Sequence, residues 1–290
     1  MVRVVPADRV DRIGQVIGRQ FRVDALIGRG AMADVYRALD LSTSAYVALK
    51  VLRQHLDEHD PAARQRFARE ADVQALLRHR NVAALLATGV TQEDEPYLVV
   101  ELLRGKSLRG VIKSEQRIDP RRAASYAFQA LQGLSAIHAA GILHRDLKPA
   151  NIMLEPSPNP IERVVLIDFG FATFEGSAKL TQQGAVVGSL AYIAPERLRG
   201  EPIDQRSDLY SIGVILYELL MGAPPFTAVD DFDLVDAQLN HEPPPLDPSL
   251  PAELDAVIAR SLAKYQDERF ADADEMGRAL QQAVVGLASG

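Results

Sequence analysis

The polar residues that could carry out chemistry are concentrated in one stretch near the middle of the chain. The run His144-Arg145-Asp146-Leu147-Lys148-Pro149-Ala150-Asn151 is followed, after a short insert, by Asp168-Phe169-Gly170. This set suits phosphoryl transfer, in which positioning and charge neutralisation supply most of the catalysis. In such a reaction Asp146 would accept a hydroxyl proton and Lys148 would face the moving phosphate. Asn151 and Asp168 would hold Mg²⁺ through hard oxygen ligands.

Composition limits the classes of function open to the chain. Its 290 residues, 47% of them hydrophobic, suffice for one large domain or for two lobes. Lys and Arg number 32 against 39 Asp and Glu, and the net charge of −7 gives no indication of nucleic-acid binding. The absence of cysteine excludes disulfides, Cys-ligated zinc and a thiol nucleophile.

Targeting signals are not apparent in the sequence. The N-terminus lacks the apolar segment of a signal peptide, and no apolar run approaches the ~20 residues that cross a bilayer. We therefore expect a cytoplasmic protein with no membrane partner, no anchor and no separate sensor domain.

A glycine pair near the N-terminus predicts a loop that can approach a phosphate. A strand pattern at 21–27 runs into Gly28-Arg29-Gly30-Ala31-Met32-Ala33-Asp34-Val35. Because the two glycines have no Cβ, backbone amides can come close to phosphate oxygens. A dinucleotide-binding loop would lead into a helix, but the pattern at 35–39 is that of a second strand. We therefore predict a β-hairpin over nucleotide phosphates.

A lysine inside an apolar strand is the next candidate. Lys50 lies in such a strand, and a proline-initiated helix over about 61–78 carries Glu70. Taken alone, a lysine in a strand is as readily explained by an exposed edge position. Glu58 and Asp72 rival Glu70 by charge alone. Apolar neighbours place Glu70 near the packed face of the helix, but the preference for it rests mainly on the family resemblance described below.

The rest of the chain is predominantly helical. Apolar spacing and turn residues predict a helix from Asp119-Pro120 to Ile137, strands at 151–154 and 164–167, a helix over 207–220 and helices within 251–285. The proline-rich segment 155–160 is predicted to be a surface loop. His138 is interpreted as a structural residue, because it lies at a helix end away from the catalytic motif, and His144 is interpreted as a packing residue rather than a base.

Several motifs occur in the order typical of eukaryotic-like protein kinases. After the glycine loop, the strand lysine, the helix glutamate, the catalytic loop and the magnesium loop come Ala194-Pro195-Glu196, which ends the activation segment, and a late Arg269. The chain resembles a bacterial serine/threonine kinase of the Hanks type, judged by Gly30-Ala31-Met32 and Arg206-Ser207-Asp208-Leu209-Tyr210. Lys148-Pro149 favours serine or threonine acceptors.

This resemblance implies an α+β, bilobal protein-kinase fold, with a small β-rich N-lobe that carries one regulatory helix and a larger helical C-lobe. The expected boundaries are an N-terminal leader at 1–20, a kinase domain at 21–285 and a C-terminal tail at 286–290. Within the domain, the N-lobe covers about 21–100, the hinge about 101–105 and the C-lobe about 106–285.

The resemblance also implies roles for individual side chains. Asp146 orients and deprotonates the acceptor hydroxyl, Lys148 stabilises the developing charge, and Lys50, paired with Glu70, positions the phosphates of ATP. The metal is Mg²⁺, with Mn²⁺ as an alternative. The residues expected to contact the nucleotide are Ile27, Gly28, Arg29, Gly30, Ala31, Met32, Ala33, Asp34, Val35, Ala48, Lys50, Val100, Glu101, Leu103 and Met153.

The segment from Phe171 to Ala191 is small and polar, and we expect a switch there rather than part of a core. A phosphate on Thr181 would bind Arg145 through charge-assisted hydrogen bonds. Ser189 would tie the catalytic aspartate to the catalytic lysine.

Three further residues are expected to have structural roles in the resembled fold. Glu196 and Arg269 should form a buried ion pair, because a lone buried charge costs several kcal/mol. Asp208 should hold the backbone of the catalytic loop.

Two other functions are compatible with parts of the sequence. One is a catalytically weak pseudokinase scaffold, although every catalytic position is filled and only Ala33 departs from the glycine-loop pattern. The other is a small-molecule kinase such as an antibiotic phosphotransferase, which lacks the Ala194-Pro195-Glu196 ending. The expected partner is a protein substrate with a serine or threonine acceptor, and a homodimer would allow autophosphorylation in trans.

Overall fold

The structure is a computed structural model that describes residues 12–30, 32–53, 61–158, 161–168 and 190–285. The chain divides into two compact units. The first unit comprises Met1–Arg78 with Ala83–Leu103, and the second unit comprises His79–Val82 with Arg104–Gly290. Of the helices in the described ranges, none combines the length and apolar character that a bilayer-spanning segment requires.

An antiparallel sheet forms most of the first unit. Its strands are β1 (Val16–Ile17), β2 (Phe21–Arg29), β3 (Ala33–Asp40), β4 (Tyr46–Leu52), β5 (Leu85–Val90) and β6 (Pro96–Glu101), in the spatial order β1-β2-β3-β4-β6-β5. Buried apolar side chains from β1, β2, β3, β4 and β6 form one core cluster. β2 and β3 pair as a hairpin around the glycine loop, with Gly28 opposite Val35, as the sequence predicted.

One helix, α1 (Pro61–Leu76), packs on this sheet. Phe67 and Ala71 are buried in a second cluster with Leu52 and Leu98 of the sheet. The three-residue and four-residue spacing of the apolar side chains places them on one face of the helix. Packing of this face fixes where α1 lies against β4.

Residues 12–20 differ from the leader that the sequence suggested at 1–20. They pair with β2 through β1, and Ile17 is buried. Arg12 is also buried and donates a hydrogen bond to the buried carboxylate of Glu95. The polar composition of this segment concealed its packing, because the partner of Arg12 lies 83 residues later in the chain. Residues 1–11 and the expected tail at 286–290 lie outside the described residues.

The second unit is mainly helical. Its helices are α2 (Leu108–Glu115), α3 (Pro120–Ala139), α4 (Pro195–Arg199), α5 (Gln205–Met221), α6 (Asp231–Asn240), α7 (Ala252–Ser261) and α8 (Ala273–Val285). A small sheet contains β7 (Lys106–Ser107), β8 (Ile152–Glu155) and β9 (Arg163–Leu166). Every residue of α5 from Ser207 to Leu220 is buried, so α5 is the central helix of this unit, with α3 and α7 packed against it.

Local sequence signals explain where the main helices begin and end. Asp119 caps α3, since its carboxylate accepts the backbone N–H groups of the first turn, and Pro120 occupies the first helical position. Asp204 caps α5 in the same way, and Gly222 ends it with φ 84° in the left-handed region. These two helices carry the residues that hold the catalytic loop.

Candidate active site

Lys50 forms an ion pair with Glu70 within the first unit. It lies on β4, an interior strand of the sheet, so the edge position that would expose a lysine is excluded. Its Nζ donates to Oε1 of Glu70 on α1 at 2.6 Å, and the two side chains are only 17% and 12% exposed. Asp72 is exposed on the same helix, whereas Glu58 lies outside the described residues. The pair holds the ammonium group of Lys50 in one place.

The hairpin around the glycine loop is closed by its own backbone. The N–H of Gly30 donates to the carbonyl of Ala33 at 2.9 Å, and Asp34 accepts two hydrogen bonds from Arg53, at 2.8 and 3.0 Å. The methyl group of Ala33 is buried in the cluster with Leu52. A nucleotide could therefore meet Ala33 only through its backbone, and Ala31 lies outside the described residues.

The residues expected to contact the nucleotide base occur at the end of β6. Val100 lies directly opposite Ala48 in the pairing of β6 with β4. Glu101 is held by the backbone of Ala84. The N–H of Glu101 donates to the carbonyl of Ala84 at 3.0 Å, and its carboxylate accepts from the Ala84 N–H at 3.1 Å. Leu103 is half-buried and ends the first unit. Met153 lies in the second unit, on β8.

The carboxylate of Asp146 is held by two neighbours in the catalytic loop. Nζ of Lys148 donates to both of its oxygens, at 2.8 and 3.0 Å. Nδ2 of Asn151 donates to the Asp146 carbonyl and to its Oδ2, each at 2.8 Å. The Asp146 side chain is nevertheless 42% exposed. The geometry combines a fixed carboxylate with access from solvent.

Asp208 holds the backbone of this loop from below, on α5. It is buried, and its carboxylate accepts the N–H groups of His144 and Arg145 at 2.8 and 2.9 Å. Nε2 of His138 lies 2.9 Å from the same carboxylate. Burial raises the pKa of Asp208, but the hydrogen bond from His138 and the other donors outweigh burial and bring the pKa below its ordinary value. Asp208 therefore remains ionised in its buried position on α5.

The sequence predicts a structural role for His138, at a helix end away from the catalytic motif. Its role is structural, but it is not remote from the motif. It occupies the last turn of α3 and contacts Asp208, so it belongs to the network under the loop. The available signal was its position one residue after Ile137, on the helix that leads into the loop. His144 is fully buried, and burial lowers its pKa, which agrees with a packing role.

Asn151 and Asp168 are brought together by the pairing of β8 with β9. The N–H of Ile167, the residue before Asp168, donates to the carbonyl of Asn151 at 3.0 Å. The amide nitrogen of Asn151 points at Asp146, which leaves its amide oxygen on the other side. Asp168 has φ 52°, which is uncommon for a residue with a side chain. The two residues offer one amide oxygen and one carboxylate, a hard donor set.

A closed metal site is not seen elsewhere in the described ranges. No group of three or more His, Asp or Glu side chains there could hold a metal ion. A site with two protein ligands suits Mg²⁺, which usually keeps several waters and binds substrate phosphates as well. The donor set at Asn151 and Asp168 therefore fits the ion that the sequence predicted.

Glu196 and Arg269 form a buried, two-point ion pair in the second unit. Nη2 and Nη1 of Arg269 donate to the two carboxylate oxygens at 2.8 and 2.9 Å, and the hydroxyl of Ser207 donates to one of them at 2.5 Å. Burial raises the pKa of Glu196, but Arg269 outweighs burial, so the pKa lies below its usual value. The pair joins the start of α4 to the segment before α8, and Ser207 adds a hydrogen bond from α5.

Of the three residues proposed for the switch, the structure describes Arg145. Its N–H is bound by Asp208, and its carbonyl accepts a hydrogen bond from Arg197 on α4. Thr181 and Ser189 lie outside the described residues, so their roles remain predictions. Arg197 was not identified from the sequence, because an arginine after a proline-started turn carries no local sign of its partner.

Comparison with known proteins assigns the family. The family model described as "Protein kinase domain" matches residues 21–282 of this chain. The "Probable serine/threonine-protein kinase PknB" of Corynebacterium glutamicum is 36% identical over 285 residues, covering 93% of this chain and 43% of that protein. The "Serine/threonine-protein kinase pkn3" of Myxococcus xanthus is 38% identical over 286 residues, covering 94% of this chain and 52% of that protein. The chain thus spans about half the length of these relatives, or less.

A solved structure confirms the fold. The kinase domain of Mycobacterium tuberculosis PknI matches with a TM-score of 0.71 and 25% identity, over 95% of this chain and 100% of that one. The α+β, bilobal protein-kinase fold predicted from the sequence is thereby confirmed. The chain belongs to the protein kinase domain family, among the bacterial serine/threonine kinases of the Hanks type.

Proposed function

We propose that this chain transfers the γ-phosphate of ATP to serine or threonine hydroxyls of protein substrates. The observation that carries the proposal is the carboxylate of Asp146, which Lys148 and Asn151 hold at 2.8 Å while it stays 42% exposed. A base must lie within hydrogen-bond reach of the proton that it removes, and it acts best when its geometry is fixed in advance. Relatives named as serine/threonine-protein kinases support the same activity.

Lys50 is the proposed ligand of the α and β phosphates of ATP. Its ion pair with Glu70 at 2.6 Å positions the ammonium group, and their partial burial strengthens the attraction relative to bulk water. The glycine loop supplies backbone N–H groups for the same phosphates. Loss of Glu70 would leave the charge on Lys50 but remove the contact that positions it.

Asn151 and Asp168 are the proposed ligands of Mg²⁺, with Mn²⁺ as a substitute. Their amide and carboxylate oxygens are hard donors, and β8 and β9 bring the two residues together. Asn151 and Asp168 would hold the cation there, and it would supply charge neutralisation at the transferred phosphate.

The transfer itself needs two side chains of the catalytic loop. Asp146 accepts the proton of the acceptor hydroxyl while that oxygen bonds to the γ-phosphorus, and the bond from γ-phosphorus to the bridging oxygen breaks. Lys148, 2.8 Å from Asp146, faces the charge that develops on the phosphoryl oxygens. ADP and the phosphorylated hydroxyl are the products.

The test compares Asp146→Asn with the wild type. The variant should bind ATP almost as well but lose about 10²- to 10⁴-fold in turnover, the usual contribution of a general base. Transfer of radiolabelled phosphate to a generic basic protein measures turnover, and nucleotide titration measures binding. Asp72→Asn, which changes an exposed carboxylate on α1, is the matched control and should retain full activity. Undiminished transfer by Asp146→Asn would refute the proposed chemistry.

A pseudokinase scaffold is the alternative from another class of function. The described catalytic side chains argue against it, because Lys50, Glu70, Asp146 and Asn151 are all present and paired. Wild-type protein that binds ATP but transfers no phosphate under any metal condition would favour the scaffold.

Regulation is proposed to act through Thr181. A phosphate there would pair with Arg145, beside the base, and a homodimer in the cytoplasm would allow one chain to modify the other. Thr181→Ala should lower activity and abolish a phosphopeptide covering 180–188. Wild-type enzyme should also phosphorylate an Asp146→Asn chain at Thr181. A fully active preparation with unmodified Thr181 would contradict this proposal.

A further inference from the structure

The peptide groups around Asp146 are held by hydrogen bonds from several elements of the second unit. Asp208 on α5 accepts the N–H groups of His144 and Arg145. The N–H of Asp146 donates to the carbonyl of His144 at 2.9 Å, and the carbonyl of Asp146 accepts from the side chain of Asn151 at 2.8 Å. Together these hydrogen bonds fix the orientation of the peptide groups from His144 to Asp146.

The peptide that joins Arg145 to Asp146 is held by Arg197. Its Nη1 donates to the carbonyl oxygen of Arg145, the last backbone group before the proposed base. Arg145 has φ 65°, in the left-handed region that side chains disfavour. Such a conformation persists only where the surrounding structure imposes it. The bond from Arg197 is therefore one of the contacts that keep this peptide in its strained orientation.

The charge of Arg197 is also directed at the catalytic loop. Burial lowers its pKa, and the neighbouring carboxylates of Asp208 and Asp146 oppose that effect. Arginine stays protonated in proteins, so Arg197 places a partly desolvated positive charge near both carboxylates. Burying a charge is costly unless polar groups compensate it. Here the compensating groups are Asp208 on α5 and, in the catalytic loop, Asp146 and the carbonyl of Arg145.

Arg199, two residues further along α4, makes different contacts and serves as a comparison for the bond from Arg197 to the catalytic loop. Its guanidinium donates to the carbonyls of Lys264 and Leu239 at 3.4 Å and so contacts the loop after α7 and the end of α6. The two arginines share a short helix, a similar half-buried setting and the same chemistry. Only Arg197 bonds to the catalytic loop.

We propose that Arg197 is a positioning residue that holds the Arg145–Asp146 peptide, and with it the carboxylate of Asp146, in the orientation used for proton removal. The inference rests on the proposed function of Asp146 as the base. Because α4 begins immediately after Ala194, Arg197 also connects the end of the activation segment to the catalytic loop.

The experiment compares Arg197→Met, Arg197→Lys and the control Arg199→Met. Arg197→Met should lower kcat about 10- to 100-fold, the size expected when a reacting group is misplaced by about 1 Å. Its KM for ATP should stay within about twofold of the wild-type value, because nucleotide binding does not use this contact. Arg197→Lys, which keeps the charge and a donor, should recover most of the loss, and Arg199→Met should retain wild-type kcat.

A measurement that needs no catalysis accompanies the kinetics. Hydrogen exchange of a peptide covering 143–148 should be faster in Arg197→Met than in Arg199→Met, because the loop is less firmly held. If Arg197→Met folds poorly, Arg197→Gln replaces it in both measurements; faster exchange at 143–148 and a lower kcat than in Arg199→Met support the proposal, and unchanged values refute it.

Distinct outcomes identify which idea fails. Wild-type protein without phosphoryl transfer would refute the proposed function, and unchanged exchange at 143–148 would then also refute the role of Arg197. Active wild type with unchanged kcat in Arg197→Met, or an equal loss of kcat in Arg199→Met, would refute the positioning role alone.

Discussion

Neutralising Glu196 should destabilise the second unit, because it would leave Arg269 charged in a buried site. The Arg269 side chain is 0% exposed and the Glu196 side chain 2%. Their two hydrogen bonds, at 2.8 and 2.9 Å, satisfy one edge of the guanidinium, and its Nε donates to the carbonyl of Ala263 at 2.8 Å. The variant Glu196→Gln removes the charge with little change in shape.

The size of the effect follows from the burial of the pair. Removing one partner of a buried ion pair costs about 3–5 kcal/mol, whereas an exposed pair contributes about 0–1 kcal/mol. Glutamine keeps one acceptor, so Glu196→Gln should lower the free energy of unfolding by about 3 kcal/mol. At about 2–4 °C per kcal/mol, Tm should fall by about 6–12 °C.

Calorimetry is the assay, because it can separate transitions of the two units. The matched control is Asp94→Asn, which breaks the exposed pair of Arg64 and Asp94 and should change stability by less than about 1 kcal/mol. Arg269→Leu and the double variant complete a mutant cycle. The reasoning is refuted if Glu196→Gln costs less than about 1 kcal/mol, or if the two single effects simply add in the double variant.

The same pair gives a pH dependence of known sign. The pKa of Glu196 is lowered in the folded state from its ordinary 4.5. Its contribution to stability is therefore present above pH 4.5 and is lost as pH falls through the folded pKa. Glu196→Gln should lack this part of the acid dependence, and parallel acid unfolding curves for variant and wild type would contradict the assignment.

Three further predictions test other parts of the fold. Arg12→Met should lower the free energy of unfolding by about 3 kcal/mol in urea, because it leaves the buried Glu95 without its arginine, and an unchanged midpoint would contradict this. Gly105→Ala should cost about 3 kcal/mol, since the new Cβ would lie 1.5 Å from a carbonyl oxygen of β8, whereas Gly110→Ala, with 3.6 Å to its nearest atom, should cost nothing in the same assay. Lys264 has its pKa lowered by burial to about 8 from 10.5, so wild-type stability should rise between these pH values while that of Lys264→Met does not.

Local patterns were sufficient for the elements that carry the site. Caps such as Asp119 act within a few residues, so the sequence predicts both helices, α3 and α5, and the start of α3. The other bounds differ by one or two residues: α3 ends at Ala139 rather than Ile137, and α5 covers Gln205–Met221 rather than 207–220. The glycine-loop hairpin was also predictable, because a strand pattern rather than a helix pattern follows Gly30. The interior position of Lys50 was left open by charge and spacing, and the order of the strands decided it.

Contacts between distant residues were not predictable in this way. Arg12 and Glu95 are 83 residues apart, His138 and Asp208 are 70 apart, and Arg197 and the Arg145 carbonyl are 52 apart. None of these separations corresponds to a helical or strand period. An arginine that bonds to a backbone carbonyl also leaves no partner side chain to search for.

The sequence by itself was enough to predict the chemistry proposed for the catalytic loop, because Asp146, Lys148 and Asn151 are close enough along the chain for their types and spacing to indicate a phosphoryl-transfer site. The tertiary structure alone decided what holds that loop. Asp208 on α5 accepts the N–H groups of His144 and Arg145. Arg197 on α4 donates to the carbonyl of Arg145, the residue with the left-handed φ angle. The physical reason is that backbone hydrogen-bonding groups are alike at every position, so only the packing of the helices decides which side chain reaches them.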